Sequence, residues 1–316
     1  MTLTLLVDLD ETLLKTQTEV LTKAYLELLA GHVASYLPPE KMIPTLLAAT
    51  KAMIANERPD LSLDRVFDAA FFPPLARSRA ELMPIFEDFY EHVYPRLKTH
   101  GQQDEEAIAF IDEAFARGYR VAIATNPLFP RSAVLQRLAW AGLPADKYPF
   151  ALITSYESFH FAKPNPAFYA EALAQMGWPE GPLVMIGNDL EYDIRPAAAL
   201  GLYTYLLVED ASPALENTYP QGKGRLADIH RWLSGLDASS GAMELNSQLA
   251  LSAILKSTPA ALQTLTSGLS SEKWHWNPSP GEWGLVEICC HLRDVEKEVN
   301  VPRLERLLNE ENPFIP

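Results

Sequence analysis

LLVDLDETLL, residues 5–14, runs an apolar segment straight into two aspartates one residue apart. The residues before Asp8 are apolar without alternation, the pattern of a strand covered on both faces. Like charges this close cost free energy, and a buried carboxylate without a partner costs more. Asp8 and Asp10 together therefore call for a bound cation, a reacting phosphate, or both.

Similar short apolar runs follow: YRVAIAT (119–125), FALITS (150–155), PLVMIGN (182–188) and LYTYLLV (202–208). Segments with helical spacing separate them, among them DEEAIAFIDEAFARG (104–118) and PNPAFYAEALAQMG (164–177), each closed by a glycine. Alternating strands and helices predict an α/β fold, a doubly wound, Rossmann-like parallel sheet. Residues 15–99 interrupt the pattern with amphipathic helical stretches broken by Pro38, Pro39, Pro59, Pro73 and Pro74, and read as a helical insertion, with no convincing strand. The expected organisation is a core of residues 1–14 and 100–236, a helical cap at 15–99, a linker at 237–242 and an all-helical region at 243–316.

A net charge of −15 argues against a nucleic-acid partner or an anionic membrane surface, since both repel an acidic protein. It leaves room for a small phosphorylated metabolite held by a few local donors. Cys289 and Cys290 are adjacent and make no disulfide framework. With no apolar run of eighteen residues and no leader pattern at the start, a cytoplasmic protein is expected.

Four groups fall where the runs end, the place where open α/β sheets bind ligands. Asp8 and Asp10 come first: one can attack an electrophile while the other handles a proton. Thr125 and Asn126 follow RVAIA and can hold phosphoryl oxygens. Lys163, ahead of a helix starting on proline, can reach the site as a point charge for phosphate. MIGNDLEYD (185–193) supplies Asn188, Asp189 and Asp193, an oxygen-rich and thiol-free set that suits Mg2+.

In that order the four groups resemble the motifs of the haloacid dehalogenase-like (HAD) hydrolase superfamily, over about residues 1–235. The resemblance implies Asp8 as nucleophile, Asp10 as general acid and base, and Thr125, Asn126 and Lys163 as phosphate ligands. It also implies a Mg2+ site completed by motif-IV acids, and a C1-type cap where the helical insertion lies. One departure is Gly187-Asn188-Asp189, where many relatives have Gly-Asp. Asp189 is favoured as the metal ligand beside Asp8 and Asp10, with Asn188 and Asp193 as alternatives. The family's dehalogenases lack an acid at the position of Asp10, because no alkoxide leaving group needs a proton. A Mg2+-dependent phosphatase is therefore expected, with a phosphosugar mutase or a non-catalytic scaffold as alternatives.

The C-terminal region resembles the start of a DinB-like helical domain through Trp276, Pro280-Gly281-Glu282-Trp283, His291-Leu292, Asp294 and Glu296. That family commonly binds metal through three histidines, and none follows His291 here, so this residue is expected to pack at a helix face. Leu285, Ile288, Leu292, Val295 and Val299 form an apolar stripe, expected to dock on the core or to form a homodimer.

Overall fold

The computed structural model describes residues 3–208, 220–236 and 247–315; the expected linker at 237–242 lies outside the described residues. The strands are β1 (Thr4–Val7), β2 (Leu14–Thr16), β3 (Gly101–Gln103), β4 (Arg120–Ile123), β5 (Leu152–Ile153), β6 (Leu183–Gly187), β7 (Tyr203–Leu207) and β8 (Gly222–Gly224). The first nine helices are α1 (Thr18–Val33), α2 (Pro39–Ile54), α3 (Leu63–Phe71), α4 (Arg79–Asp88), α5 (Glu105–Ala116), α6 (Arg131–Trp140), α7 (Pro166–Gln175), α8 (Arg195–Ala199) and α9 (Leu226–Ser234). The last four are α10 (Gln248–Thr266), α11 (Ser271–Trp274), α12 (Leu285–Val295) and α13 (Val301–Asn309).

Six strands form one parallel sheet in the order β5-β4-β1-β6-β7-β8, the doubly wound arrangement that the apolar runs predict. Neighbours on both sides hold β1, with Val7 level with Ile123 of β4 and Ile186 of β6. Connections run to opposite halves of the sheet on either side of β1, so its carboxyl end opens into a crevice. The two faces follow the two-residue period of a strand. Leu5, Val7, Val121, Ile123 and Ile186 share one core with α5, α6 and α9. Leu6, Ala122 and Met185 face the other way, onto α7 and α8. β8 was not expected, because Gly-Lys-Gly has no apolar run to announce it.

The helical insertion is α1 to α4, and its two ends are joined by an antiparallel pairing of β2 with β3, Leu14 opposite Gln103. These strands have three residues each, too short and polar to stand out. Leu29, Val33, Met42, Phe71, Phe86 and Phe89 pack the insertion's interior. A capping box starts α4, with Ser78 Oγ accepting from Glu81 N and the Glu81 carboxylate accepting from Ser78 N.

The chain forms two compact units, Met1–Leu265 and Thr266–Pro316. This differs from the expected boundary at residue 243, because α10 belongs almost wholly to the first unit. Ala250, Ala253 and Ala260 join the core beneath α7, where small side chains let the helix lie close. Gln263 bonds the buried His160 ring at 2.8 Å, and Lys256 meets Glu57 at 2.5 Å. In the second unit α11, α12 and α13 contain no buried residue. Ile288 and Leu292 are exposed, so the apolar stripe stays open within that unit. His291 rests edge-on against Trp283, ring centroids 4.8 Å apart. Among the described residues no helix is long and apolar enough to cross a membrane.

Candidate active site

The strand register assembles the site. Asp8 leaves β1 with its amide bonded to Ile186 O at 3.0 Å, and Ala124 N donates to Val7 O at 2.8 Å. Asp8, Gly187 and Thr125 thus leave three adjacent strands side by side. Lys163 enters from the loop before α7; its backbone N–H donates to Asn126 Oδ1 at 3.2 Å, which fixes where the side chain starts. The ammonium donates to Asp8 Oδ1 at 2.8 Å and to Asp193 Oδ1 at 2.5 Å. All three residues are buried. Burial alone would pull the lysine pKa down, but the Asp193 and Asp8 carboxylates outweigh it and raise it. Burial raises the pKa of Asp193; Lys163 opposes that shift and Asp8 adds to it.

Asp193 can approach only because residue 187 is glycine. A Cβ there would lie 2.2 Å from Asp193 Oδ2, the oxygen that accepts from Asp189 N. Gly187→Ala should therefore push Asp193 off Lys163 and lower stability by about 1–3 kcal/mol, with a matching loss of turnover. A denaturant midpoint equal to the parent's would show that the carboxylate has room to move aside.

Asp10 is held differently. Its Oδ2 accepts from Arg137 Nη1. Arg137 is buried on α6, its guanidinium over the Phe129 ring at 4.8 Å from the centroid. Burial raises the Asp10 pKa, Arg137 works against the rise and Asp8 adds to it. Burial thus favours the protonated form of Asp10, the form that a general acid needs. Sequence reasoning missed Arg137. The signal available was its position inside AVLQRLAW (133–140), a run with too few polar residues to make a solvent face.

Thr125 is buried at the end of β4, and its carbonyl accepts from Thr154 Oγ1 at 2.6 Å. Asn188 turns toward the loop after Asp10: Thr12 Oγ1 donates to its Oδ1 at 3.2 Å, and its Nδ2 donates to Glu11 Oε2 at 3.3 Å. Glu11 has φ +61, the left-handed turn that brings the loop after Asp10 back on itself. Asp189, favoured from sequence as metal ligand, is exposed, and its Oδ1 caps the following turn by accepting from Glu191 N at 2.7 Å and Tyr192 N at 2.9 Å. Asp193, the other alternative, is buried and shares Lys163 with Asp8. The structure thus brings Asp8, Asp10, Thr125, Asn126, Lys163, Asn188 and Asp193 to one end of the sheet and leaves Asp189 at its rim.

No cluster of three His, Cys, Asp or Glu side chains with metal-binding geometry occurs among the described residues. Mg2+ does not need one, since it binds through one or two carboxylates, waters and substrate phosphate. The oxygens of Asp8, Asp10 and Asn188 fit that demand in type. Beside this end of the sheet lies a cavity of about 900 Å3 whose lining includes Asp10, Thr125, Asn126 and Arg137.

A family profile described as haloacid dehalogenase-like hydrolase matches residues 2–201. The match leaves the DinB-like resemblance of the C-terminal region without support of its own. None of the curated proteins compared with the chain matches it. Among solved structures, 2-haloacid dehalogenase from Pseudomonas syringae pv. Tomato DC3000 is 19% identical and aligns over 74% of this chain and 99% of its own, with a TM-score of 0.51. The HAD phosphatase from Thermococcus onnurineus is 16% identical over 74% of this chain and 99% of its own, with a TM-score of 0.48. At such identities the likeness concerns the fold.

Proposed function

Since this chain belongs to the haloacid dehalogenase-like hydrolases, we propose that it hydrolyses a small phosphomonoester through an aspartyl-phosphate on Asp8. The observation that carries this reading is the place of Asp10: a carboxyl at the same end of the sheet as Asp8, its Oδ2 held by Arg137 and its Oδ1 without a partner among the described residues. Hydrolysis at carbon has no use for such a group. An alkoxide leaving from phosphorus needs its proton.

In the first step an Asp8 oxygen attacks phosphorus in line, the ester P–O bond breaks, and Asp10 gives its proton to the departing oxygen. Lys163 stays bonded to Asp8 and offsets charge gathering on the phosphoryl group, while Thr125 and Asn126 hold its oxygens. In the second step Asp10, now ionised, takes a proton from water as that water attacks phosphorus. The Asp8–phosphorus bond breaks and inorganic phosphate leaves. A Mg2+ held by Asp8, Asp10 and Asn188 would supply further charge neutralisation at the phosphoryl oxygens.

Purified protein should release phosphate from an aryl phosphate, stop on addition of EDTA, and recover with Mg2+. Absence of turnover on a broad set of phosphomonoesters overturns the reading, and turnover indifferent to chelator removes the metal. Asn188→Ala should raise the Mg2+ concentration for half-maximal activity by roughly tenfold or more. Asp189→Ala should instead cost about 1 kcal/mol of stability, as a lost helix cap does, with little change in the Mg2+ titration. The opposite ranking in that titration returns the ligand to Asp189. The apolar stripe of the second unit, with Ile288 and Leu292 exposed, would be the surface on which two copies associate; light scattering that finds only monomer removes that partner.

A further inference from the structure

The cavity beside Asp10 is walled mainly by carbon. Tyr25, Phe67, Phe86, Tyr90, Phe129 and Tyr156 supply six rings to its lining. Tyr25 stands edge-on to Phe129 at 5.3 Å, and Phe67 meets Tyr156 at 6.4 Å. Two of the hydroxyls, those of Tyr25 and Tyr90, bond each other at 3.1 Å, which uses one of their two protons. Where the wall is carbon, a polyol would leave hydroxyls without partners, each at the cost of desolvation.

Thr18, Thr22, Asp64, Arg79 and Ser132 add polar side chains to the lining, and a set of buried polar atoms lies next to Asp10. Gln136 Oε1, Arg137 Nε and Nη2, and Asp10 Oδ1 are buried with no hydrogen-bond partner among the described residues. Their orientations are fixed, because Gln136 Nε2 donates to Tyr90 O at 2.7 Å and Arg137 Nη1 to Asp10. Glu87, Glu91 and Glu157, all exposed, also line the cavity with Asp64, and the one further cation of the lining, Arg79, is paired with Asp68 at 3.0 Å, so a second anionic group on the ligand is disfavoured.

We propose that the phosphomonoester cleaved here carries a neutral, apolar alcohol of aromatic-ring size, with its few polar atoms next to the ester, where Arg137 and Gln136 meet them. This rests on the phosphatase reading and adds the class of leaving group. The pocket then separates substrates by apolar burial, and the phosphoryl site is common to all of them.

Two primary alkyl esters of similar leaving-group basicity test it on the full-length protein: 2-(1-naphthyl)ethyl phosphate and glycerol 3-phosphate. The naphthyl ester should have the higher kcat/KM, by roughly ten- to a hundredfold for one buried ring system. Thr50→Trp places a large ring in the cavity from α2, where Thr50 is half-buried and bonded to Leu46 O at 2.9 Å. That variant should collapse the ratio of the two kcat/KM values. Calorimetry with the non-hydrolysable 2-(1-naphthyl)ethylphosphonate gives binding without turnover. If glycerol 3-phosphate is cleaved as well as the naphthyl ester, or Thr50→Trp leaves the ratio alone, the inference falls and the phosphatase reading stands. If neither ester is cleaved but the phosphonate binds and Thr50→Trp abolishes binding, the apolar class holds and the hydrolytic reading falls.

Discussion

Asp8→Asn is expected to lower phosphatase kcat by on the order of 10⁴-fold or more while leaving the protein folded. The amide is close in shape to the carboxylate, and its oxygen can still accept from Lys163, which holds Asp8 at 2.8 Å. What disappears is the nucleophile. Stability should equal or exceed the parent's, because Asp8 is one of three carboxylates clustered with two cations, Lys163 and Arg137. Removing one negative charge relieves repulsion felt by both Asp10 and Asp193. Turnover within an order of magnitude of the parent would rule out Asp8 as the attacking group. A folded, inactive and unweakened protein is the expected result.

Lys163→Met should fail in both respects. Asp8 and Asp193 would face each other with no cation between them, and losing one partner of a buried ion pair typically costs about 3–5 kcal/mol. The pH dependence has a definite sign. Asp193 has its folded pKa raised from 3.8 to about 6 even with Lys163 present, and removing the lysine raises it further. A raised carboxyl binds its proton more tightly folded than unfolded, so its contribution is present at low pH and lost as pH rises. With chelator present, the variant's deficit against the parent should therefore shrink as pH is lowered toward about 6, where Asp193 of the parent takes up its proton as well. A deficit that is constant or grows toward acid would mean that Lys163 acts through packing, for example against the Phe168 ring 5.8 Å from its ammonium.

The parallel sheet was legible because β1, β4, β6 and β7 are buried on both faces and leave unbroken apolar runs between glycine-ended helices. That the candidate residues share one end of the sheet was legible for the same reason: Asp8, Thr125 and Asn188 each follow such a run, and parallel strands bring their ends together. β2, β3 and β8 were hidden, since three residues of mixed polarity carry no period. The sequence favours Asp189 over Asn188 as metal ligand on charge, and spacing does not say where either side chain points. Asp189 has the charge, but the turn after β6 sends its carboxylate back to cap Glu191 and Tyr192, a choice made by backbone geometry. Arg137 lies on a helix with no motif around it, and only folding brings it to Asp10, well over a hundred residues away in the chain. The place of α10 was equally hidden, because an alanine-lined helix face has too little hydrophobic contrast to announce what it packs against.

The most direct test of the account is to trap the intermediate. Enzyme mixed with an aryl phosphate is quenched in acid within the first turnovers, reduced with borohydride, digested and analysed by mass spectrometry. An aspartyl-phosphate is converted by reduction to homoserine, so the account predicts homoserine at position 8, dependent on substrate and absent from Asp8→Asn. Homoserine at another position, or none while phosphate is still released, would contradict it.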